Sequence, residues 1–184
     1  MKTLIIWGIG AVLALYPFVV YFGLQVLSPA TLASILLCTV ALRVWFSAAS
    51  QSVSPWLTWA PLAAIPVLLV SFFADTATGI KLYPIAINLM LLVIFAVSLV
   101  KPPSIIESLA RLHQPNLPSS GVRYTRNVTA IWCVFFIANG LISGYTAMYS
   151  DLQSWMLYNG FIAYIAMGVL FAVEFLFRKC VMKV

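Results

Sequence analysis

Long apolar runs alternate with short polar links along most of this chain. A helix needs about 20 apolar residues to cross the hydrocarbon core of a membrane, and six runs approach that length. They are Leu4–Val26, Ala30–Phe46, Trp56–Phe73, Leu82–Val100, Val128–Tyr149 and Trp155–Phe177. Pro61 and Pro66 interrupt the third run and predict a half-length helix or a merged boundary there. The pattern predicts an all-α, polytopic membrane helix bundle of about six transmembrane helices, with residues 1–184 forming a single integral membrane domain.

Composition and charge agree with this prediction and orient it. The chain is 64% hydrophobic and 8% charged, which leaves too little polar surface for a soluble globule. Cytoplasmic loops are enriched in Lys and Arg. With the N-terminus inside, nine of the 10 basic residues fall on the cytoplasmic side: Lys2, Arg43, Lys101, Arg111, Arg123, Arg126, Arg178, Lys179 and Lys183. We therefore expect both termini in the cytoplasm, and we relate the net charge of +6 to topology and anionic lipid rather than to nucleic acid.

The only sizeable loop, residues 101–127, contains the pattern of a short helix. Ser104 and Glu107 have the spacing of a capping box. The apolar residues after Ser104 fall on one side of a helix that ends before Pro115; they are Ile105, Ile106, Leu109 and Leu112. The helix either lies on the cytoplasmic membrane surface or packs as a connector against the bundle. The charged residues of this region form a candidate docking loop for cytoplasmic partners: Lys101, Glu107, Arg111, Arg123 and Arg126.

Two stripes of polar and small residues mark the last two predicted spans. One contains Arg126, Thr129, Cys133, Phe136, Asn139 and Gly140, and the other contains Asn159, Ala163, Ala166, Leu170 and Glu174. Adjacent antiparallel helices joined by a short link should place these stripes face to face. They serve either as helix packing with polar side chains between the helices or as a polar pocket lined by Asn139, Tyr158 and Asn159. Asn88 is a further mid-membrane polar group.

Charged residues near the cytoplasmic ends of the spans predict ion pairs. Arg43 and Glu174 each lie about four residues inside a span end, where pairing would neutralise both. Arg178 lies one helical turn after Glu174, with the acid placed first, and is the favoured partner. An ionic group formed by Arg43, Glu174 and Arg178 together is a further alternative.

The residues that enzymes use are sparse in this sequence. His113 is the only histidine, which excludes a membrane desaturase or hydroxylase that binds iron through several histidines. No Asp, Glu, Lys, Arg or His occupies the middle of a predicted span, which argues against a proton-coupled pump. We expect no metal and no cofactor, and catalysis is the least favoured function.

The segment from residue 101 to residue 179 resembles a known family. The segments KPPSIIESLARLHQPNLP, RYTRNVT, WMLYNGFIAY and EFLFRK are similar to those of a family of uncharacterised bacterial inner-membrane proteins. Its members tend to be encoded among genes for fatty-acid-like or aryl-polyene lipid biosynthesis. The layout is more distantly similar to the septation protein A family, in which a Trp-x-x-Phe-Phe segment follows a basic loop; here Trp132, Phe135 and Phe136 fit that spacing. The resemblance implies a multi-pass protein of the bacterial inner membrane and brings no catalytic residues.

These observations lead to three functional hypotheses. The first is a non-enzymatic accessory or scaffold protein in envelope or lipid-product biogenesis that docks cytoplasmic biosynthetic enzymes or a carrier protein. The second is a small transporter or flippase for an acyl or polyene product, with a path lined by Asn88, Asn139 and Asn159. The third is a membrane enzyme. The lipid bilayer is the expected surrounding, and homo-oligomerisation stays open.

Overall fold

Every regular element in the described part of the chain is a helix. The computed structural model describes residues 15–48, 62 and 65–178. The helices are α1 (Tyr16–Gly23), α2 (Pro29–Ala48), α3 (Ile65–Ala74), α4 (Ala77–Lys81), α5 (Tyr83–Val100), α6 (Ile105–His113), α7 (Ser119–Tyr149), α8 (Leu152–Leu157), the π-helical segment π1 (Tyr158–Ile162) and α9 (Ala163–Phe177). The predicted all-α class is thus confirmed for the described residues. The first half of the first predicted span and nearly half of the third lie outside them.

Three helical stretches are long and apolar enough to cross a membrane. They are Ala77–Val100, Ser119–Tyr149 and Leu152–Phe177, and they contain the last three predicted spans. Helix α3 has 10 residues, or about 15 Å, which is half of a hydrocarbon core. It matches the half-length helix expected near Pro66. These helices are those of a helical membrane protein, whereas the count of six spans stays a prediction.

The chain divides into two compact units, and each has its own apolar core. Unit 1 comprises the chain up to Ile87 together with Ile142–Tyr164, and unit 2 comprises Asn88–Leu141 and the chain from Ile165. The described core of unit 1 contains Tyr16, Val20, Leu32, Ala33, Leu36, Val40, Leu68, Ile80, Tyr83, Ala147 and Trp155. The core of unit 2 is a mainly aromatic cluster, which we call the aromatic cluster; it is formed by Trp132 and Phe136 together with the aliphatic Val128, and Phe95 and Phe135 pack against it.

Helices α3 and α4 of unit 1 form a tight hairpin that only small residues permit. Asp75 in the turn has a positive φ of 47°, and its carboxylate accepts a hydrogen bond from the Ala30 N–H at 2.9 Å, which caps α2. A Cβ at Gly79 would overlap the Val67 carbonyl and lie 2.6 Å from the Ser71 hydroxyl. Because backbone atoms stand in the way, position 79 accepts only glycine.

The backbone is interrupted between α4 and α5, and two aromatic side chains satisfy the carbonyls that the interruption exposes. The Ile80 carbonyl would normally accept from residue 84, but Pro84 has no N–H; the Tyr16 hydroxyl donates to it at 2.6 Å instead. The Ile85 N–H donates to Leu82 rather than to Lys81. The indole N–H of Trp155 then donates to the Lys81 carbonyl at 3.1 Å. Both carbonyls are therefore satisfied at the break, as buried backbone groups require.

Candidate functional site

Helix α6, which we call the loop helix, is held in unit 2 by local polar contacts. The Ser104 hydroxyl accepts from the Glu107 N–H at 3.3 Å and so caps the helix as predicted. The Glu107 carboxylate accepts from Arg111 Nε at 2.9 Å and from a terminal guanidinium nitrogen at 2.7 Å. Arg111 also donates to the Pro115 carbonyl at 3.0 Å. One end of the helix is therefore capped, and the segment that follows it is fixed by Arg111.

The apolar side chains of the loop helix have two kinds of surroundings. Ile106 packs against the aromatic cluster of unit 2, as expected for a connector packed against the protein. Leu109 and Leu112 are 54% and 77% exposed, as expected for a helix that contacts a membrane surface. The structure thus combines features of both predicted placements, and contact with a membrane stays a prediction.

Beneath the loop helix lies a cavity of about 770 Å³, which we call the loop-helix cavity. Its walls come from the loop helix, the first four turns of α7 and the end of α9. The apolar part of the wall is formed by Ile106, Leu109, Ala110, Leu112, Leu117, Pro118, Val128, Trp132 and Phe171. The polar part contains Gln114, Ser120, Tyr124, Thr125, Glu174 and Arg178. This distribution of polar and apolar groups suits an amphiphilic molecule.

The polar end of the loop-helix cavity is a cluster of three connected side chains. The Tyr124 hydroxyl donates to Glu174 Oε1 at 3.1 Å. Arg178 Nε lies 3.8 Å from the same oxygen, which confirms the predicted pair between Glu174 and Arg178. The Tyr124 ring stacks on Phe177 with centroids 6.0 Å apart. The Glu174 side chain is only 21% exposed, so this charge is held close to apolar surface by one hydrogen bond and one ion pair.

Arg43, the third member of the predicted ionic group, belongs to unit 1, whereas Glu174 belongs to unit 2. Arg43 acts electrostatically on Tyr83, which is also in unit 1. A pair between Arg43 and Glu174 therefore stays a prediction.

A second concavity, the lateral groove, adjoins the cavity within unit 2. Its volume is about 540 Å³, and its lining is Ser120, Arg123, Tyr124, Asn127, Val128, Ile131, Trp132, Leu170, Val173, Glu174 and Phe177. Five residues line both spaces: Ser120, Tyr124, Val128, Trp132 and Glu174. The hydrogen-bonded side chains of Tyr124 and Glu174 therefore form part of a wall common to the cavity and the groove.

The predicted polar pocket divides into two groups. In unit 2, Asn139 Nδ2 donates to Asn88 Oδ1 at 3.0 Å, and both side chains are buried. In unit 1, Asn159 Nδ2 donates to the Trp155 carbonyl at 2.9 Å and to the Thr146 hydroxyl at 3.3 Å. Asn159 and Tyr158 lie in π1, and π-helical turns occur often at functional sites. The amides are thus engaged in helix packing, which is the simpler of the two interpretations of the stripes.

The predicted docking residues differ in their exposure. Lys101, Arg123 and Arg126 are exposed. Glu107 is 6% exposed and is used by Arg111. The charged side chains that this surface offers to a cytoplasmic partner are therefore basic.

The cavity-lining residues of α7, and Phe171 on α9, were not predicted as site residues, although a signal for them exists. Tyr124, Val128 and Trp132 recur every four residues and so share one face of α7. Phe171, Glu174 and Arg178 recur at intervals of three and four on α9. Trp132 is buried and contacts Phe95, Phe135, Phe136 and Phe171.

Comparison of this chain with protein families, curated proteins and solved structures finds no match.

Proposed function

We propose that this protein is a multi-span accessory protein of the bacterial inner membrane, active in envelope or lipid-product biogenesis, and that it binds one amphiphilic acyl or polyene product in the loop-helix cavity. The cavity is the observation that carries the proposal. Ligand pockets have volumes of about 300–1,000 Å³ and mostly apolar linings with a few convergent polar groups. The cavity of about 770 Å³ has these properties.

The arrangement of groups favours binding over catalysis. The hydroxyl of Tyr124 and the guanidinium of Arg178 both contact the carboxylate of Glu174, so the three polar groups stabilise one another. A carboxylate or hydroxyl head group can replace part of these contacts, while Trp132 and Phe171 contact the chain of the ligand. A ligand whose polar groups were left unpaired in this cavity would bind poorly.

We place the cavity at the cytoplasmic end of a six-span bundle with both termini inside. Helix α7 has 31 residues and is about 46 Å long, whereas a hydrocarbon core is about 30 Å thick. The excess of roughly 10 residues accommodates the first turns of α7, which carry Arg123 and Arg126, in the headgroup region. Reporter enzymes fused at position 116 and at position 151 test this topology. Cytoplasmic activity at 116 and periplasmic activity at 151 are expected, and the reverse pattern would refute the orientation.

The binding test compares two substitutions on the loop helix. Ala110 lines the cavity, whereas Ser108 is exposed and does not line it. Ala110→Phe should fill part of the cavity, and Ser108→Phe is its matched control. Full-length protein in nanodiscs is labelled with a photoactivatable palmitic acid, and the labelled peptides are identified by mass spectrometry.

We expect labelling of the peptides around Tyr124 and Phe171 to fall several-fold in Ala110→Phe and to be unchanged in Ser108→Phe. Circular dichroism and thermal unfolding of both variants check that the helices are intact. Equal labelling of the two variants would show that the cavity is not the binding site.

The proposed docking role has a separate test. Lys101, Arg123 and Arg126 offer positive charge to an acidic carrier protein or enzyme. Pull-down from detergent extracts should recover such a partner with the native protein and lose it when all three are changed to Gln. Recovery that does not depend on these residues would refute docking through this surface.

Transport is the alternative function. The amides of Asn88 and Asn139 are buried in unit 2 and that of Asn159 is buried in unit 1, and buried polar groups in membrane helices often mark substrate paths. Alanine substitution at each position, with product measured separately in the cytoplasmic and outer membranes, distinguishes the two functions. Loss of export with intact synthesis and normal protein level supports transport.

A further inference from the structure

The lateral groove has a different character from the loop-helix cavity. Its apolar members include Ile131, Val173 and Phe177, which lie on α7 and α9 and are about half exposed. Both helices belong to stretches able to cross a membrane. Apolar side chains exposed on such helices face hydrocarbon. The groove is therefore accessible to the acyl chains of the bilayer.

The polar end of the lateral groove contains the cation Arg123. Arg123 and Asn127 lie one turn apart on α7 and both line the groove. Within the part of the chain that the structure describes, no carboxylate lies within 4.0 Å of the Arg123 guanidinium. Glu174, the one acidic residue of the lining, is bonded to Tyr124 and Arg178. The charge of Arg123 is therefore available to an anionic group.

These two features occur at the same groove in the order that a phospholipid requires. We propose that the lateral groove is a binding site for one anionic bilayer phospholipid, with its phosphate against Arg123 and Asn127 and one acyl chain along Ile131, Val173 and Phe177. An Arg near the surface of an anionic membrane contributes about 1 kcal/mol to lipid attraction. The site goes beyond the proposed function because it takes a structural lipid rather than a product.

The two proposed ligands share part of their surroundings. Tyr124 and Glu174 line both the cavity and the groove, whereas Arg123, Ile131, Val173 and Phe177 line the groove alone. A substitution at a residue that lines only the groove should therefore affect binding of the phospholipid and leave binding of the product unchanged.

Two pairs of matched variants test the site. Arg123→Gln and Arg126→Gln remove the same charge from the same helix, but only Arg123 lines the groove. Val173→Trp and Val169→Trp add the same bulk to two exposed positions one turn apart on α9, and only Val173 lines the groove. Full-length protein is reconstituted in nanodiscs of phosphatidylglycerol and phosphatidylcholine, and the retained lipid is measured by native mass spectrometry after mild delipidation.

We expect Arg123→Gln to lower retained phosphatidylglycerol about fivefold, the factor that corresponds to about 1 kcal/mol, and Val173→Trp to remove it. Arg126→Gln and Val169→Trp should retain it as the native protein does. Equal losses in the two Arg variants would refute a specific headgroup contact. Equal retention in the two Val variants would refute occupation of the groove, and equal retention of phosphatidylcholine would refute selection of an anionic lipid.

The result is separable from the test of the cavity. Ala110→Phe should retain phosphatidylglycerol, and Val173→Trp should be labelled normally by the photoactivatable fatty acid. If Ala110→Phe loses both ligands, the two spaces act as one site and this proposal is wrong. If the cavity binds no fatty acid while Arg123→Gln still loses phosphatidylglycerol, the lateral site stands without the proposed function.

Discussion

The hydroxyl of Tyr16 offers a direct test of how this protein tolerates a broken backbone. It donates at 2.6 Å to the Ile80 carbonyl, whose usual partner would be the N–H of residue 84. Pro84 has no N–H. Tyr16→Phe keeps the ring contact with Tyr83, whose centroid is 4.2 Å away, and removes only the donor.

The expected magnitude follows from the burial of this bond; the backbone N–H at the end of α4 is directed to three carbonyls, that of Ile80 among them, and replaces the hydroxyl only in part. Interhelical hydrogen bonds in membrane proteins contribute only about 0.6 kcal/mol on average, since the separated groups find other partners. Leaving a buried acceptor without a donor costs about 1–3 kcal/mol. Tyr16 is 2% exposed, so water does not replace its hydroxyl. We expect Tyr16→Phe to lower the free energy of unfolding by about 2 kcal/mol, which changes the unfolding equilibrium constant about thirtyfold.

A second substitution makes the explanation specific. Pro84→Ala supplies an N–H to the Ile80 carbonyl, so the loss caused by Tyr16→Phe should shrink by about 1 kcal/mol in the Pro84→Ala background. Equilibrium unfolding of the full-length protein in mixed micelles, followed by tryptophan fluorescence, measures the four free energies. Tyr145→Phe, at an exposed position of unit 1, controls for the loss of a hydroxyl. The reasoning fails if Tyr16→Phe is as stable as Tyr145→Phe, or if Pro84→Ala leaves its loss unchanged.

Two further predictions concern the backbone of unit 1 and pH. Gly79→Ala should lower the free energy of unfolding by about 3 kcal/mol or more because the new methyl group overlaps the Val67 carbonyl. Gly168→Ala should be neutral or slightly stabilising, since a Cβ at position 168 has no neighbouring atom within 4 Å. Similar thermal stability of the two variants would contradict this prediction. The backbone N–H of Ser154 lowers the pKa of Asp151, so the stabilisation by this carboxylate is present above the ordinary pKa of Asp and is lost as the pH falls through its lowered value. Asp151→Asn should therefore show a smaller loss of thermal stability between pH 5 and pH 3 than the native protein, and identical pH profiles would contradict the capping role.

The last three predicted spans are confirmed as helices. They could be predicted because long apolar runs are a strong signal of membrane-spanning helices. The fifth predicted span, Val128–Tyr149, lies within a longer helix, because α7 begins at Ser119. Arg123 and Arg126 precede the apolar run and fall in the predicted loop of residues 101–127, yet a helix that extends beyond the hydrocarbon carries such residues without penalty. The cap at Ser104 could be predicted because capping depends on residues three apart.

Contacts between residues that are far apart in the sequence could not be predicted from hydropathy and local spacing. The cavity requires Ile106, Tyr124 and Phe171 to meet, and no local pattern specifies that meeting. The interruption at Lys81 had a signal in Pro84, which the hydropathy of the run concealed. The π-helical segment had no recognisable signal beyond Asn159 and Gly160.

The bonds that hold the loop helix have a consequence for the energetics of ligand binding. Ser104, Glu107 and Arg111 fix the roof of the cavity through contacts made entirely within unit 2. A ligand that enters does not have to order this segment, so little conformational entropy is lost on association. Weakening the roof, for example by Arg111→Gln, should therefore shorten the residence time of a bound lipid more than it slows association, since changes within one interface act mainly on the dissociation rate.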